Sequence, residues 1–507
     1  MRTILSHRKN LIILAALSLL FIGIQSYTSA STSFVSDPLA KAIQIESAKT
    51  NRGKWIYPAE RIDPEKKFGP TLFVIKDKTG AFKSVFSQTF ADIYSSLFPL
   101  IPVQYLPYVN IVFIVLGILS MHFIAGISIS ACCIGVFATV FFSQSLDLSE
   151  VPLLFFWISL SYSIWSRGFE EFNSKKISLG IFLLLLGCFL RLEILILGSI
   201  TFGISLILLW RDKRINDFLL LIFSFALPIA LFFLINYSRD GHIFGIRYLY
   251  NFESNAHLTY ITRFQNMLNI VFTSFQSTSL KIGFFFYSPF FLYLIFYFLR
   301  SNREFKKLNV TMAHFIIMIS YPLIVGFTAP NDGITVTGRY AMATVFPGMF
   351  LISLHWNELK LKKLFWILVV VSLIISFIMI KISKNSNKMI RKTNQILEPL
   401  KADVWIFFDQ NISGIAGLRL LEQKSIAVEQ LDWKNDLHSL VSKIREEKLK
   451  SVIVFDFAKS SPVKFPRTLQ LDSEEFNSLW KKENFQCELM EEVDYIALRR
   501  CKSKSED

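Results

Sequence analysis

The stretch NDFLLLIFSFALPIALFFLIN, residues 216–236, contains a single charge, Asp217, among otherwise mostly apolar positions. The hydrocarbon core of a bilayer takes about 20 such residues as a helix. We therefore read it as a membrane-crossing helix. Arg211, Lys213 and Arg214 precede it, and basic clusters beside apolar runs mark the cytoplasmic side of a span.

The same pattern recurs outward in both directions. Eleven apolar stretches read as spans, at roughly 10–26, 107–126, 128–143, 151–166, 177–190, 193–210, 216–236, 280–299, 309–327, 338–355 and 363–381. Composition agrees: 52% of the 507 residues are hydrophobic and 18% charged, against about a quarter charged in a soluble domain. Mean hydropathy is +0.44. The net charge of +15 does not indicate nucleic acid, because the basic residues sit in short clusters between apolar runs.

With the N-terminus inside, the inner segments carry Arg2, Arg8 and Lys9; Arg167, Lys175 and Lys176; Arg211, Lys213 and Arg214; Arg300, Arg303, Lys306 and Lys307; and Lys360, Lys362 and Lys363. Lys381, Lys384, Lys388, Arg391 and Lys392 run against this orientation, since they follow the last span on the side assigned outside. The N-terminus resembles a signal peptide, with Thr28-x-Ala30 as the cleavage-like site. The many later spans favour an uncleaved first helix.

The expected fold is an α-helical polytopic membrane protein of about eleven spans with a small C-terminal α/β soluble domain. Residues 1–384 form the membrane module, including a long outer loop at 27–106, and 385–507 form the tail. In the tail, Asp403–Asp409 and SVIVFDF (451–457) read as strands, Asp436–Leu449 as a helix and Phe485–Leu498 as a hairpin. Cys132, Cys133 and Cys188 lie in apolar runs and read as buried thiols. Cys487 and Cys501 are either free or paired. Phosphate-loop, zinc-protease and nucleophile-elbow motifs are missing, and the seven histidines are scattered.

Charges at membrane depth are costly and mark candidate sites. Asp37, Asp147, Glu150, Arg191, Glu193, Arg239, Asp240, Arg247, Asp332, Arg339 and Tyr340 all fall at the outer turns. A loop charge is ordinarily just solvated. Three resist that reading: Glu150 directly precedes VPLLFFWISL, Arg191 lies between LLLLGCFL and LEILIL, and Arg339 opens a helix in TGRYAMATVFP. Arginine beside carboxylate at such depth suits a lipid-phosphate donor and an acceptor hydroxyl. The cation stabilises the leaving phosphate, and the carboxylate takes the hydroxyl proton.

Several segments then resemble one family in order: SDPLAKAIQIESAKTNRGKWIYPAE (36–60), SQTFADIYSSLFPLIP (87–102), SLDLSEVPLLFFWISLSYSIWSR (145–167), GCFLRLEILIL (187–197), FYSPFFLYLI (286–295) and GRYAMATVFPGMFLI (338–352). Together they resemble the GT-C glycosyltransferases, particularly the bacterial group related to protein O-mannosyltransferases and aminoarabinose transferases (glycosyltransferase family 39-like). The resemblance covers roughly residues 10–355.

It implies inverting transfer of a sugar from a polyprenyl-phosphate donor to an acceptor hydroxyl on a glycan, lipid or protein, at the periplasmic face of the cytoplasmic membrane. Asp37 would be the base, Asp147 or Glu150 would orient substrate or a partner cation, and Arg191 and Arg339 would hold the donor phosphate, with Arg247 as a further candidate. Glu193 and Tyr340 would complete the substrate-binding set. A metal is not required in the closest subfamilies, and neither a divalent metal nor another cofactor is indicated here. The sequence departs from the pattern at Pro38, where many members carry a second acidic residue, and this leaves Glu46 as the other candidate base. The rival readings are a cell-surface polysaccharide polymerase or ligase, a lipid-linked sugar transporter, and an anchor or sensor acting through its tail.

Overall fold

The computed structural model describes residues 2–29, 34–50, 55–77, 79–211, 215–255, 258–276, 279–300, 309–329, 336–428, 433–458, 474–493 and 496–504. Two compact units result. One comprises Met1–Ala30 with Tyr105–Lys384, the other Ser31–Gln104 with Asn385–Asp507.

The first unit is helical. Five of its described helices are long and apolar enough to cross a membrane: Val103–Ala125, Ile194–Arg211, Asp217–Asp240, Val310–Thr328 and Lys362–Leu397. Ile12–Thr28 and Phe290–Arg300 are shorter apolar helices. The apolar side chains do not all turn inward. Leu219, Phe223 and Leu234 are 65%, 61% and 66% exposed, and a face of that kind suits hydrocarbon rather than water.

Several expected spans are not single helices. The 128–143 stretch divides into Ile129–Phe137 and Val140–Ser145, because Thr139 turns extended and its hydroxyl caps the Phe141 amide at 3.2 Å. The 280–299 stretch opens as a strand, Ser279–Ile282, continues as Phe284–Tyr287 and becomes a long helix only at Phe290–Arg300, past Pro289. Gly283 allows the first break, since a Cβ there would lie 2.1 Å from the Phe272 carbonyl oxygen. The 338–355 stretch starts as a 3-10 helix, Thr337–Thr344, before Val345–His355. The 177–190 stretch ends as α-helix at Leu186. The last helix extends well past residue 381, to Leu397.

Polar bonds bind the interior and identify its two ends. At one end, Gln25 Nε2 donates to the Leu146 carbonyl at 2.7 Å, and Asn110 Nδ2 donates to the Ser145 and Asp147 carbonyls at 2.9 Å each. Lys384 Nζ sits 3.5 Å from the centre of the Tyr27 ring at this same end. At the other end, Asn10 bonds His122 at 3.2 Å, and the Ser128 amide donates to Ser353 Oγ at 2.9 Å. Between them, both ring nitrogens of the buried His314 are bonded, to Tyr162 at 2.7 Å and Ser166 at 3.0 Å. Cys132 and Cys188 are buried thiols, and Cys133 is half-buried.

The second unit is built on a five-stranded sheet in the order Ser425–Ala427, Val404–Phe407, Ser451–Phe457, Ile496–Ser503, Phe485–Val493. The first three strands are parallel and the last two join antiparallel. Helix Trp433–Glu446 lies in the crossover that parallel pairing requires. Val404–Phe407 is buried along its whole length, as a strand covered on both faces must be. Cys487 and Cys501 are register partners and form a disulfide.

The segment 31–104 belongs to this unit rather than to the membrane module, which differs from the sequence expectation for 27–106. The cause is long-range pairing. The Ala427 amide donates to the Gly69 carbonyl at 2.8 Å, and Ser413 Oγ donates to Thr71 Oγ1 at 2.9 Å. Helix Ser36–Thr50 packs its buried side, including Leu39 and Ile43, against Gly414–Leu421. A Tyr57–Asp63 bond at 2.9 Å closes the turn that follows.

Candidate functional site

Six of the residues singled out in the sequence meet at one end of the helical unit. Glu150 immediately precedes helix Val151–Glu170, whose Pro152 starts the helix without needing a donor. Arg191 and Glu193 lie on the turn between Gly187–Phe189 and Ile194–Arg211. Arg247 lies in the first turn of helix Ile246–Asn255. Arg339 and Tyr340 lie in Thr337–Thr344.

Arg191 is the centre. Its Nη2 lies 2.7 Å from Glu193 Oε1, its Nε 3.4 Å from Glu193 Oε2, and its Nη1 3.5 Å from Glu150 Oε1. The Arg191 and Glu150 side chains are only 6% and 5% exposed. A planar guanidinium suits such a two-sided grip. Arg247 Nη1 is 3.9 Å from the same Glu150 oxygen, with its side chain 28% exposed. The Arg191 and Arg339 guanidinium carbons lie 6.0 Å and 5.4 Å from the Tyr340 ring centre, so the ring is within reach of two cations. Tyr321 Oη donates to the Tyr340 carbonyl at 3.4 Å.

Three arginines and two glutamates take part in this group. Arg191 has all three of its nitrogens directed at carboxylates, which makes it a poor ligand for a further anion. Arg247 and Arg339 are more accessible. The family resemblance assigns the donor phosphate to Arg191 and Arg339; in the structure the three Arg191 nitrogens face Glu193 and Glu150.

The remaining candidates are placed differently. Asp147 is half-buried, and its carbonyl accepts from Asn110. Asp37 lies in the other unit, in the first turn of helix Ser36–Thr50, half-buried, with Ser36 Oγ 3.5 Å from its Oδ1. Glu46 on the same helix is bridged to Lys49 at 3.1 Å. Arg239 Nε lies 3.8 Å from Asp240 Oδ1, and Asp240 Oδ2 accepts the Ile246 amide at 3.3 Å, fixing the loop that carries Arg247. Asp332 lies outside the described residues.

Two supporting residues escaped the sequence reading. Asn110, fully buried, holds the loop that leads to Glu150; a lone amide inside LPYVNIVFIVLG was a usable signal. Tyr321, inside an apolar helix, gave none. Among the described residues no group of three or more His, Cys, Asp or Glu is arranged to hold a metal ion. No protein-family model matches the chain, and no curated protein matches it.

Proposed function

We propose that this chain is a membrane glycosyltransferase of the GT-C kind, moving a sugar from a polyprenyl-phosphate donor to an acceptor hydroxyl. The observation that carries the reading is the buried Glu150–Arg191–Glu193 group with Arg247 and Arg339 beside it, at one end of an apolar helical unit. Arginines at that place suit a phosphodiester anion whose lipid tail stays in the bilayer. Arg247 and Arg339 take the phosphate, Tyr340 lines the same pocket of charge, and Arg191 holds Glu150 and Glu193 in position.

In the proposed step a carboxylate, Asp37 by the family resemblance alone, accepts the proton of the acceptor hydroxyl. The acceptor oxygen forms a bond to the anomeric carbon from the face opposite the leaving group. The anomeric carbon–oxygen bond to phosphate breaks, and its electron pair leaves with polyprenyl phosphate. Inversion follows from a single displacement. Asp147 or Glu150 orients the substrate or a partner cation.

The membrane is the cytoplasmic membrane, with the chain crossing about eleven times and the site facing the periplasm. The Cys487–Cys501 disulfide supports that side for the second unit, because disulfides persist in oxidising compartments and are rare in the cytosol.

The test is transfer from a labelled polyprenyl-phosphate sugar in membranes containing the protein. Removing a general base costs about 100-fold or more, so Asp37→Asn is expected to lose transfer by that factor. An unaltered rate in this variant removes Asp37 from the mechanism. Release of free sugar or its movement across the membrane, with no new glycosidic bond, replaces the transferase reading with a transporter.

A further inference from the structure

Residues 146–150 form neither helix nor strand, yet they carry both Asp147 and Glu150. The segment links Val140–Ser145 to Val151–Glu170. Leu146 and Leu148 are 2% and 0% exposed, so the loop is packed against the interior of the helical unit. Main-chain carbonyls in such a place need donors. Four successive ones take them from side chains. The Ser149 hydroxyl donates to the Gln144 carbonyl at 2.9 Å. Asn110 Nδ2 donates to the Ser145 and Asp147 carbonyls at 2.9 Å each, and Gln25 Nε2 donates to the Leu146 carbonyl between them at 2.7 Å.

The two carboxamides are matched to that task. A primary amide carries two hydrogens on one nitrogen, and Asn110 directs both at alternate carbonyls of one loop. Gln25 and Asn110 are fully buried. They come from different helices, Arg2–Thr28 and Leu106–Ala125. The apolar side chains of Leu146 and Leu148 hold the loop down, and the three amide bonds fix how its peptide planes are turned. Because each peptide unit is a rigid plane, that rotation decides where the next side chains point. Glu150 follows three residues after the last clamped carbonyl. It stands at the N-cap position of Val151–Glu170 but makes no side-chain cap bond there. Its Oε1 lies 3.5 Å from Arg191 Nη1 instead.

We propose that Gln25 and Asn110 are positioning residues, which set Glu150 within reach of Arg191 through the carbonyls of residues 145–147. They act through the backbone and not by touching substrate. The consequence for sugar transfer rests on the transferase reading above, whereas the placement of Glu150 does not.

Two double-mutant cycles on the full-length chain test this. In the first, melting of the purified protein is measured for Asn110→Leu, Arg191→Met and both together. Independent sites add, whereas sites that act through one network do not. Loss of Arg191 removes the contact that the amide positions, so the double variant should lose less than the sum of the single shifts. In the second, transfer from a labelled polyprenyl-phosphate sugar is measured for Asn110→Leu, Glu150→Gln and both. A misplacement of about 1 Å costs about 100-fold in rate. Asn110→Leu is expected to lose transfer by that factor, and to add little to the loss in Glu150→Gln. Gln25→Leu strips one carbonyl rather than two, so it should follow the same pattern with smaller losses and serves if Asn110→Leu does not fold. Asn110→Asp, of the same size without the two donor hydrogens, should behave as Asn110→Leu. Additive shifts in the melting cycle, an equal further loss of transfer in Glu150→Gln, or wild-type behaviour of Asn110→Asp overturns the proposal and leaves the amides as packing groups. A wild-type chain that melts cooperatively but transfers no sugar overturns the transferase reading alone, and the melting cycle still decides the positioning.

Discussion

Arg191 Nη1 lies 3.5 Å from Glu150 Oε1, joining two turns 41 residues apart in sequence, with both side chains almost wholly buried. Removing one partner of a buried pair strands the other charge, typically at a cost of about 3–5 kcal/mol. Arg191→Met leaves both Glu150 and Glu193 without their cation and should lower the melting temperature sharply. Arg191→Lys keeps the charge but loses the fork to two carboxylates, so it should fall between the two. A melting temperature for Arg191→Met equal to the wild type's would show that the group does not organise this end of the unit.

Arg247 and Arg339 should behave otherwise. Both are more exposed than Arg191, and Arg247 Nη1 lies 3.9 Å from Glu150 Oε1. Arg247→Gln should leave the melting temperature within about 1 kcal/mol of stability while raising KM for the lipid-phosphate donor about tenfold, the loss expected for one charge-assisted bond. Steady-state kinetics with the donor varied separates this from a loss in kcat, which would assign Arg247 to the transition state instead.

What was legible in the sequence follows from cost. Glu150 and Arg191 stood out because a charge inside an apolar run must be compensated, and the structure pairs them. SVIVFDF announced its strand because a strand covered on both faces is apolar throughout. The helix breaks were not legible. ISACCIGVFATVFF is continuous by composition, and only the Thr139 hydroxyl turning onto the Phe141 amide divides it. The grouping of 31–104 with the tail was equally hidden. It rests on pairings such as Gly69 with Ala427, which have no local pattern.

The hairpin of Val74–Lys76 with Phe82–Ser84 turns on Asp77. Burial is the largest single effect on the Asp77 carboxyl and raises it, but hydrogen bonds from the Thr79 hydroxyl, the Ala81 and Thr79 amides, and Lys83 together outweigh it and hold its pKa below the usual 3.8. A lowered folded-state pKa contributes stability that is complete above 3.8 and is lost as pH falls through the folded value. Protection of the Thr79 amide against hydrogen exchange should therefore decline only on acidification below about 4. Asp77→Asn should remove that acid dependence, and persistence of it in the variant assigns it to another group.

Cys487 and Cys501 close a loop of 14 residues between paired strands. Cross-linking a loop of that size contributes about 3 kcal/mol, mainly by restricting the unfolded chain. Cys487→Ser with Cys501→Ser should lower the stability of the second unit by about that amount, and so should a reductant. Thiol alkylation before and after reduction checks that the bond forms in the cell. Alkylation of both thiols without reduction would mean that the second unit faces a reducing compartment, and the periplasmic side would have to be given up.

Ser386 tests the same assignment without the disulfide. It is exposed on helix Lys362–Leu397, just past the boundary at Lys384. An odd number of crossings after an inside N-terminus puts it outside, and an even number puts it inside. The basic residues from Lys381 to Lys392 favour the inside by the usual bias, whereas the disulfide favours the outside. Long soluble domains follow the charge bias poorly, which gives the disulfide more weight. Ser386→Cys in a chain whose other exposed thiols are removed should react with a membrane-impermeant maleimide on intact cells. Reaction only after the inner face is opened would reverse the orientation of the tail and remove one crossing, or add one, to the eleven.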